Sequence, residues 1–141
     1  MSFLIDTNVI SELTRPNPDQ RVVSFLHESD EDHLFVSVIT LGELLRGVAL
    51  KADGRAKSAL DDWLRGDLRE RFAGRILDVT SEIADRWGDL MATAKRQGTA
   101  LHAMDGFLAA TALVHGKTLV TRNVKDFAPF EVSIFNPWTP A

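Results

Sequence analysis

Short, unbroken apolar runs alternate along the chain with longer stretches in which apolar residues recur every three or four positions. Phe3-Leu4-Ile5 is one such run, and it stops at the polar Asp6-Thr7-Asn8, as a buried strand ending in a turn does. Val9 to Leu13 has room for one helical turn before Arg15-Pro16-Asn17-Pro18, where two closely spaced prolines mark a loop. Val22, Val23, Phe25 and Leu26 predict an amphipathic helix over Gln20 to His27, and the acidic run from Glu28 to Asp32 reads as a solvated loop. Leu34 to Ile39 is rich in β-branched residues and predicts a second buried strand. Thr40 then opens a helix with Leu41, Leu44, Leu45 and Val48 on one face. Further helices are predicted over Ala52 to Leu68, Ser81 to Gln97 (with Gly98 as its terminal glycine) and Met104 to His115 (ended by Gly116). Ile76 to Val79, Thr118 to Thr121 and Val132 to Phe135 complete the strands. Strands separated by helices imply right-handed crossovers and a parallel sheet, so the fold class is α/β. No repeat, linker or low-complexity tract divides the 141 residues, and one domain over 1–141 is expected.

Composition narrows the chemistry. The chain has no cysteine, which excludes disulfides, thiolate metal sites and cysteine nucleophiles. Its formal charge is −4, whereas proteins that hold nucleic acid by charge alone are usually basic. A nucleic-acid partner would therefore need another attachment, such as a metal. The longest nearly apolar run, Phe107 to Val114, is far shorter than the ~18 residues a membrane span requires. The first residues lack the basic start of a signal peptide, so a cytoplasmic location away from membranes is expected.

No glycine-rich dinucleotide fingerprint follows the first strand, and Gly42 and Gly47 lack the lysine of a phosphate loop. His27, His33, His102 and His115 have no zinc-ligand spacing. The carboxylates remain. Asp6 follows the first strand, Glu43 lies early in the helix after the second, Asp105 starts a helix, and Asn123 and Asp126 follow the fourth strand. In open α/β sheets ligands bind at the carboxyl ends of the strands, where these groups converge if the first and fourth strands are neighbours. Several carboxylates in a dry cleft stay ionised only beside a cation, and hard oxygen ligands select Mg²⁺ or Mn²⁺. Such a site suits phosphodiester hydrolysis.

Each acid also has a structural explanation. Asp6 can cap a helix, Thr40 and Glu43 have the spacing of a capping box, Asp105 can be an N-cap, and Asp126 can form an Asx turn. Among the scattered basic residues, Arg122 beside the acids is the best placed for phosphate, with a surface salt bridge as its alternative.

Four segments and the tail resemble one family. Leu4-Ile5-Asp6-Thr7-Asn8-Val9-Ile10-Ser11-Glu12 resembles the opening of a PIN domain. The segments Val36 to Leu44, Met104 to Ala112 and Leu119 to Phe127 resemble the three that follow in that family, and Phe135-Asn136-Pro137-Trp138 resembles the ending of its VapC/FitB branch. The resemblance implies a three-layer α/β/α sandwich with a central parallel sheet. It also implies a Mg²⁺- or Mn²⁺-dependent ribonuclease, the toxin of a toxin–antitoxin pair, leaving a 5′-phosphate and a 3′-hydroxyl. By motif, Asp6, Glu43 and Asp105 would be metal-binding catalytic acids. The fourth family position, often aspartate, falls on Asn123 here, with Asp126 three residues on as a substitute ligand. Thr121 would hold water or a neighbouring carboxylate at the substrate site, with Arg122 beside it. The implied partners are an RNA substrate, a second copy in a homodimer, and a VapB/FitA-like antitoxin. The departure at Asn123 keeps open a catalytically weak module that serves an antitoxin–DNA regulatory complex.

Overall fold

The short apolar runs become strands and the periodic stretches become helices in a computed structural model that describes residues 1–140. The order is β1 (Phe3–Ile5), α1 (Thr7–Leu13), α2 (Gln20–Glu28), β2 (Leu34–Ser37), α3 (Val38–Ala49), α4 (Arg55–Arg65), α5 (Asp67–Arg71) and β3 (Ile76–Leu77). It continues with α6 (Ser81–Arg96), α7 (Ala103–His115), β4 (Thr118–Val120), α8 (Val124–Phe127) and β5 (Ile134–Phe135). The strands form one parallel sheet in the order β3-β2-β1-β4-β5.

Alternation along the strands divides the core. Ile5, Val36 and Val120 point into one cluster with Val9, Val22, Leu41, Leu64 and Leu68 of α1 to α5. Their strand neighbours Leu4 and Leu119 point into the other, with Ala94 of α6 and Leu108, Ala109 and Ala112 of α7. Helices therefore cover both faces, and the architecture is the expected three-layer α/β/α sandwich. Trp138, near the chain's end, joins the first cluster with Ile5, Val9 and Val120. Among the described residues no helix is long and apolar enough to cross a membrane.

The short helix α8 is absent from the sequence reading, β3 and β5 are shorter than read, and a 3₁₀ turn (Glu31–His33) stands in the acidic run read as a loop. Two further elements begin elsewhere than read. The second strand stops at Ser37, because the Ser37 side chain accepts the Ile39 N–H at 3.0 Å and caps α3. Val38 and Ile39 are helical, and Thr40 lies inside the helix. The helix read over Ala52 to Leu68 begins only at Arg55 and breaks at Gly66 into α4 and α5.

The chain builds outward from β1 in both directions, through β2 and β3 on one side and β4 and β5 on the other. The sheet's direction of winding thus switches between β1 and β4, and a crevice opens beyond the carboxyl ends of these two strands.

Candidate active site

Asp6 follows β1 directly, so that strand delivers it to the switch point. Its backbone N–H extends the ladder to Val120 O at 2.9 Å, and the residue is only 4% exposed. Oδ1 accepts the Thr7 N–H at 2.6 Å, so Asp6 does cap α1. Capping accounts for one oxygen. The other, Oδ2, accepts the Thr121 hydroxyl at 2.7 Å across the β1–β4 junction.

Thr121 is saturated. Its hydroxyl donates its one proton to Asp6 and accepts from Asn8 Nδ2 at 3.4 Å and from the Asn123 N–H at 3.0 Å. It is fully buried, which corrects the expectation that it meets substrate: Thr121 positions the Asp6 carboxylate.

Because Ser37 caps α3, Glu43 lies beyond the first turn and the capping box with Thr40 does not form. Glu43 Oε1 instead accepts the Thr7 hydroxyl at 2.8 Å. Thr7 therefore ties the first acid to the second, through its amide and its hydroxyl respectively. Asp105 does not cap α7 either. His102 does, its Nδ1 accepting the Met104 N–H at 3.3 Å, and Asp105 sits half-buried in the first turn. The Trp87 indole fixes that turn by donating to Ala103 O at 3.0 Å.

Asp6, Glu43, Asp105 and Asn123 line one open cavity of about 330 Å³. Asp126 does not line it. It lines an adjoining depression with Leu101, His102 and Asp105, and its charge adds to those that raise Asp105. Six further residues of the cavity carry no functional reading in the sequence: Thr7, Asn8, Ser11, Glu12, Arg15 and Trp138. Asn8 and Glu12 sit in the opening segment, where the turn and helix explain them. Trp138 is distant in sequence and gives no local signal. Among the described residues Arg122 makes no salt bridge with the carboxylates around it. Its guanidinium carbon lies 5.1 Å from the centroid of the Trp138 ring. Arg71 and Arg75 are structural, bound to the Glu31 carboxylate at the start of β2.

Burial pushes the Asp6 carboxyl up to about 6, against the pull of its hydrogen bonds from Thr121 and Thr7, and the charges of Asp105 and Glu43 push it further. Burial raises Asp105 as well, followed by repulsion from Glu43. These acids oppose one another's ionisation, which a cation would relieve. The donors are all oxygen, which suits a hard divalent ion. Asn8 Oδ1, of a residue lining the same cavity, is buried without a hydrogen-bond partner among the described residues. Among the described residues no three acidic or histidine side chains are already drawn together into a metal-holding group. The acids surround one space without closing on it, and their chemistry fits Mg²⁺ or Mn²⁺.

Residues 3–129 match the family described as PIN domain. Toxin FitB of Neisseria gonorrhoeae is 41% identical over 136 residues, covering 96% of this chain and 98% of that protein. VapC ribonuclease Y4jK of Sinorhizobium fredii is 36% identical, covering 99% of each chain. The solved structure of FitAB bound to an IR36 DNA fragment superimposes with a TM-score of 0.92 at 38% identity, covering 99% of this chain and 97% of that one.

Proposed function

The chain belongs to the PIN domain family, and from that premise we propose that it is a metal-dependent endoribonuclease, the toxin of a toxin–antitoxin pair. One observation carries the reading. Asp6 is held at the switch point by Thr121, with Glu43 and Asp105 around the same cavity. A bound Mg²⁺ or Mn²⁺ would neutralise charge on the phosphate and generate a hydroxide-like nucleophile near neutral pH. Asp6 and Asp105 would be its principal ligands. Glu43, steadied by the Thr7 hydroxyl, would accept the proton of the attacking water. Asn123 would contribute a neutral carbonyl oxygen in place of a fourth acid. In-line attack on an RNA phosphodiester would then leave a 5′-phosphate and a 3′-hydroxyl.

The likeness to FitB and to the FitAB complex supports an antitoxin partner. Association as a homodimer and action in the cytoplasm belong to the same reading. A second reading rests on Asn123 and on the DNA bound in the FitAB structure: a catalytically weak subunit of an antitoxin–DNA regulatory complex. Cleavage of total bacterial RNA by antitoxin-free protein with Mg²⁺ or Mn²⁺ separates the two. Discrete products that vanish in Asp6→Ala and Asp105→Ala are the expected result. Retained cleavage in Asp6→Ala overturns the proposed site, and no cleavage by folded wild-type protein moves the weight to the regulatory subunit.

A further inference from the structure

Two arginines share the cavity with the acids, although the chain as a whole is acidic. Arg15 and Arg122 line the same cavity as Asp6, Glu43 and Asp105. Among the described residues neither arginine is consumed by a close ion pair. Arg15 reaches Glu12 only at 3.8 Å, with its side chain 66% exposed. Arg122 feels Asp19, but that carboxylate is already held by Arg21 at 2.8 Å.

Arg122 is nevertheless placed. Its guanidinium lies over the Trp138 ring, 5.1 Å from the centroid. Trp138 is itself 7% exposed and packed into the core, with its backbone N–H donated to Asn136 Oδ1 at 2.9 Å. A guanidinium stacked on an aromatic face keeps its N–H edge free, and that edge matches two oxygens of a phosphate. Glu12 is likewise fixed, since its Oε2 accepts the Asp19 N–H at 3.0 Å. Its other oxygen lies 3.8 Å from Arg15 Nε on the same cavity.

We propose that Arg122, seated on Trp138, and Arg15 form a phosphate clamp that grips the RNA backbone beside the bond to be cut. The inference rests on the ribonuclease reading and deepens it. Repulsion between RNA and an acidic protein is offset locally, at the cavity itself, so the strand is held by phosphates flanking the acids. Trp138 is a platform for the arginine rather than for a base, because its ring is buried beneath the guanidinium.

The test uses antitoxin-free full-length protein and two readouts. One is anisotropy of a fluorescein-labelled pool of mixed-sequence single-stranded RNA, measured across a salt series without added metal. The other is steady-state cleavage with Mn²⁺. Arg122→Gln and Arg15→Gln should each raise KM about tenfold, with kcat within about twofold. Each should also flatten the slope of log affinity against log salt by about 0.7. Arg122→Lys should restore the salt slope but only part of the affinity, because an ammonium does not stack and fork as a guanidinium does. Trp138→Leu, checked for folding by thermal melt, should weaken binding in wild type and add little to Arg122→Gln. Unchanged KM and salt slope in both glutamine variants overturns the clamp. So does a loss confined to kcat, or wild-type protein that does not bind the pool. Wild-type protein that binds the pool with the expected slopes yet cuts no RNA instead overturns the ribonuclease reading and leaves the clamp standing.

Discussion

Asp6 is asked to be two things at once, buried and charged. Its carboxyl titrates at about 6 in the fold against an ordinary 3.8, a difference of roughly 3 kcal/mol. Because the folded value is raised, the stabilisation is present in full below pH 3.8 and is lost as pH rises through about 6. Metal-free Asp6→Asn should therefore be more stable than wild type at pH 8. The amide can accept only one of the two hydrogen bonds now made to the carboxylate, a loss of ~1 kcal/mol. A net gain of about 1–2 kcal/mol is expected, vanishing below pH 4. Urea unfolding across pH checks it, and equal stability at pH 8 contradicts it. Thr121 works in the opposite direction, favouring the charged form. Thr121→Val leaves a buried carboxylate oxygen and the Asn123 N–H without their partner. A cost of about 1–3 kcal/mol follows, together with an acidic limb of the cleavage pH profile displaced to higher pH. Thr121→Ser should restore the profile. An unmoved limb in the valine variant would mean that the hydroxyl does not hold the acid.

Helix starts decided what could be read in advance. β1, the Gly116 ending of α7 and the long α6 were legible because each carries a local signal: an apolar run, a left-handed glycine at φ +62°, and a periodic stripe. The start of α3 was not, since Ser37 and Thr40 are both good caps and Val38-Ile39 suits strand and helix alike. That small displacement matters chemically, because it frees Glu43 from a capping box and turns it toward Thr7. The acids themselves were legible from their places at strand ends. The seating of Arg122 was not, because Trp138 reaches Arg122 only through the tertiary fold. The α6–α7 contact makes the same point. A Cβ on Gly106 would lie 2.8 Å from Met91 Sδ and 3.0 Å from Trp87 Cδ1. Met91 is flexible and can retreat, but the Trp87 ring is stacked on Phe107 with centroids 4.7 Å apart and is bonded to Ala103 O. Gly106→Ala gains up to ~1 kcal/mol of helix propensity and loses about 1–3 to overpacking. Net destabilisation of about 1 kcal/mol is expected, with a larger fractional loss in kcat, since the displaced turn carries Asp105. Met91→Ala in the same chain should recover stability more than activity. Full recovery of both would place the strain on Met91 alone, and not on the tryptophan that anchors the turn.

The sheet's change of direction, the clustered acids and the chain's negative charge combine in how the fold should respond to divalent ions. β1 and β4 hold Asp6 from two sides whether or not an ion is present, so the site is built by the global fold and an ion that binds it must stabilise that fold. At a free Mn²⁺ concentration one hundred times the dissociation constant the gain is about 2.7 kcal/mol. That is roughly 5–10 °C in melting temperature for a chain of this size. The dependence on pH should reverse sign with the ion. Metal-free protein gains stability from Asp6 on going from pH 7.5 to 5, since its raised carboxyl takes up a proton more readily folded than unfolded. Protein with Mn²⁺ loses stability over the same interval, because the ion must displace protons from Asp6 and from Asp105, whose carboxyl is also raised. Thermal melts at the two pH values, with Mn²⁺ and with a chelator, should give a stabilisation by metal that is large at pH 7.5 and small at pH 5. Asp105→Asn should abolish it at both. A stabilisation that is independent of pH, or that survives Asp105→Asn, would place the ion elsewhere on the acidic surface and remove it from the switch point.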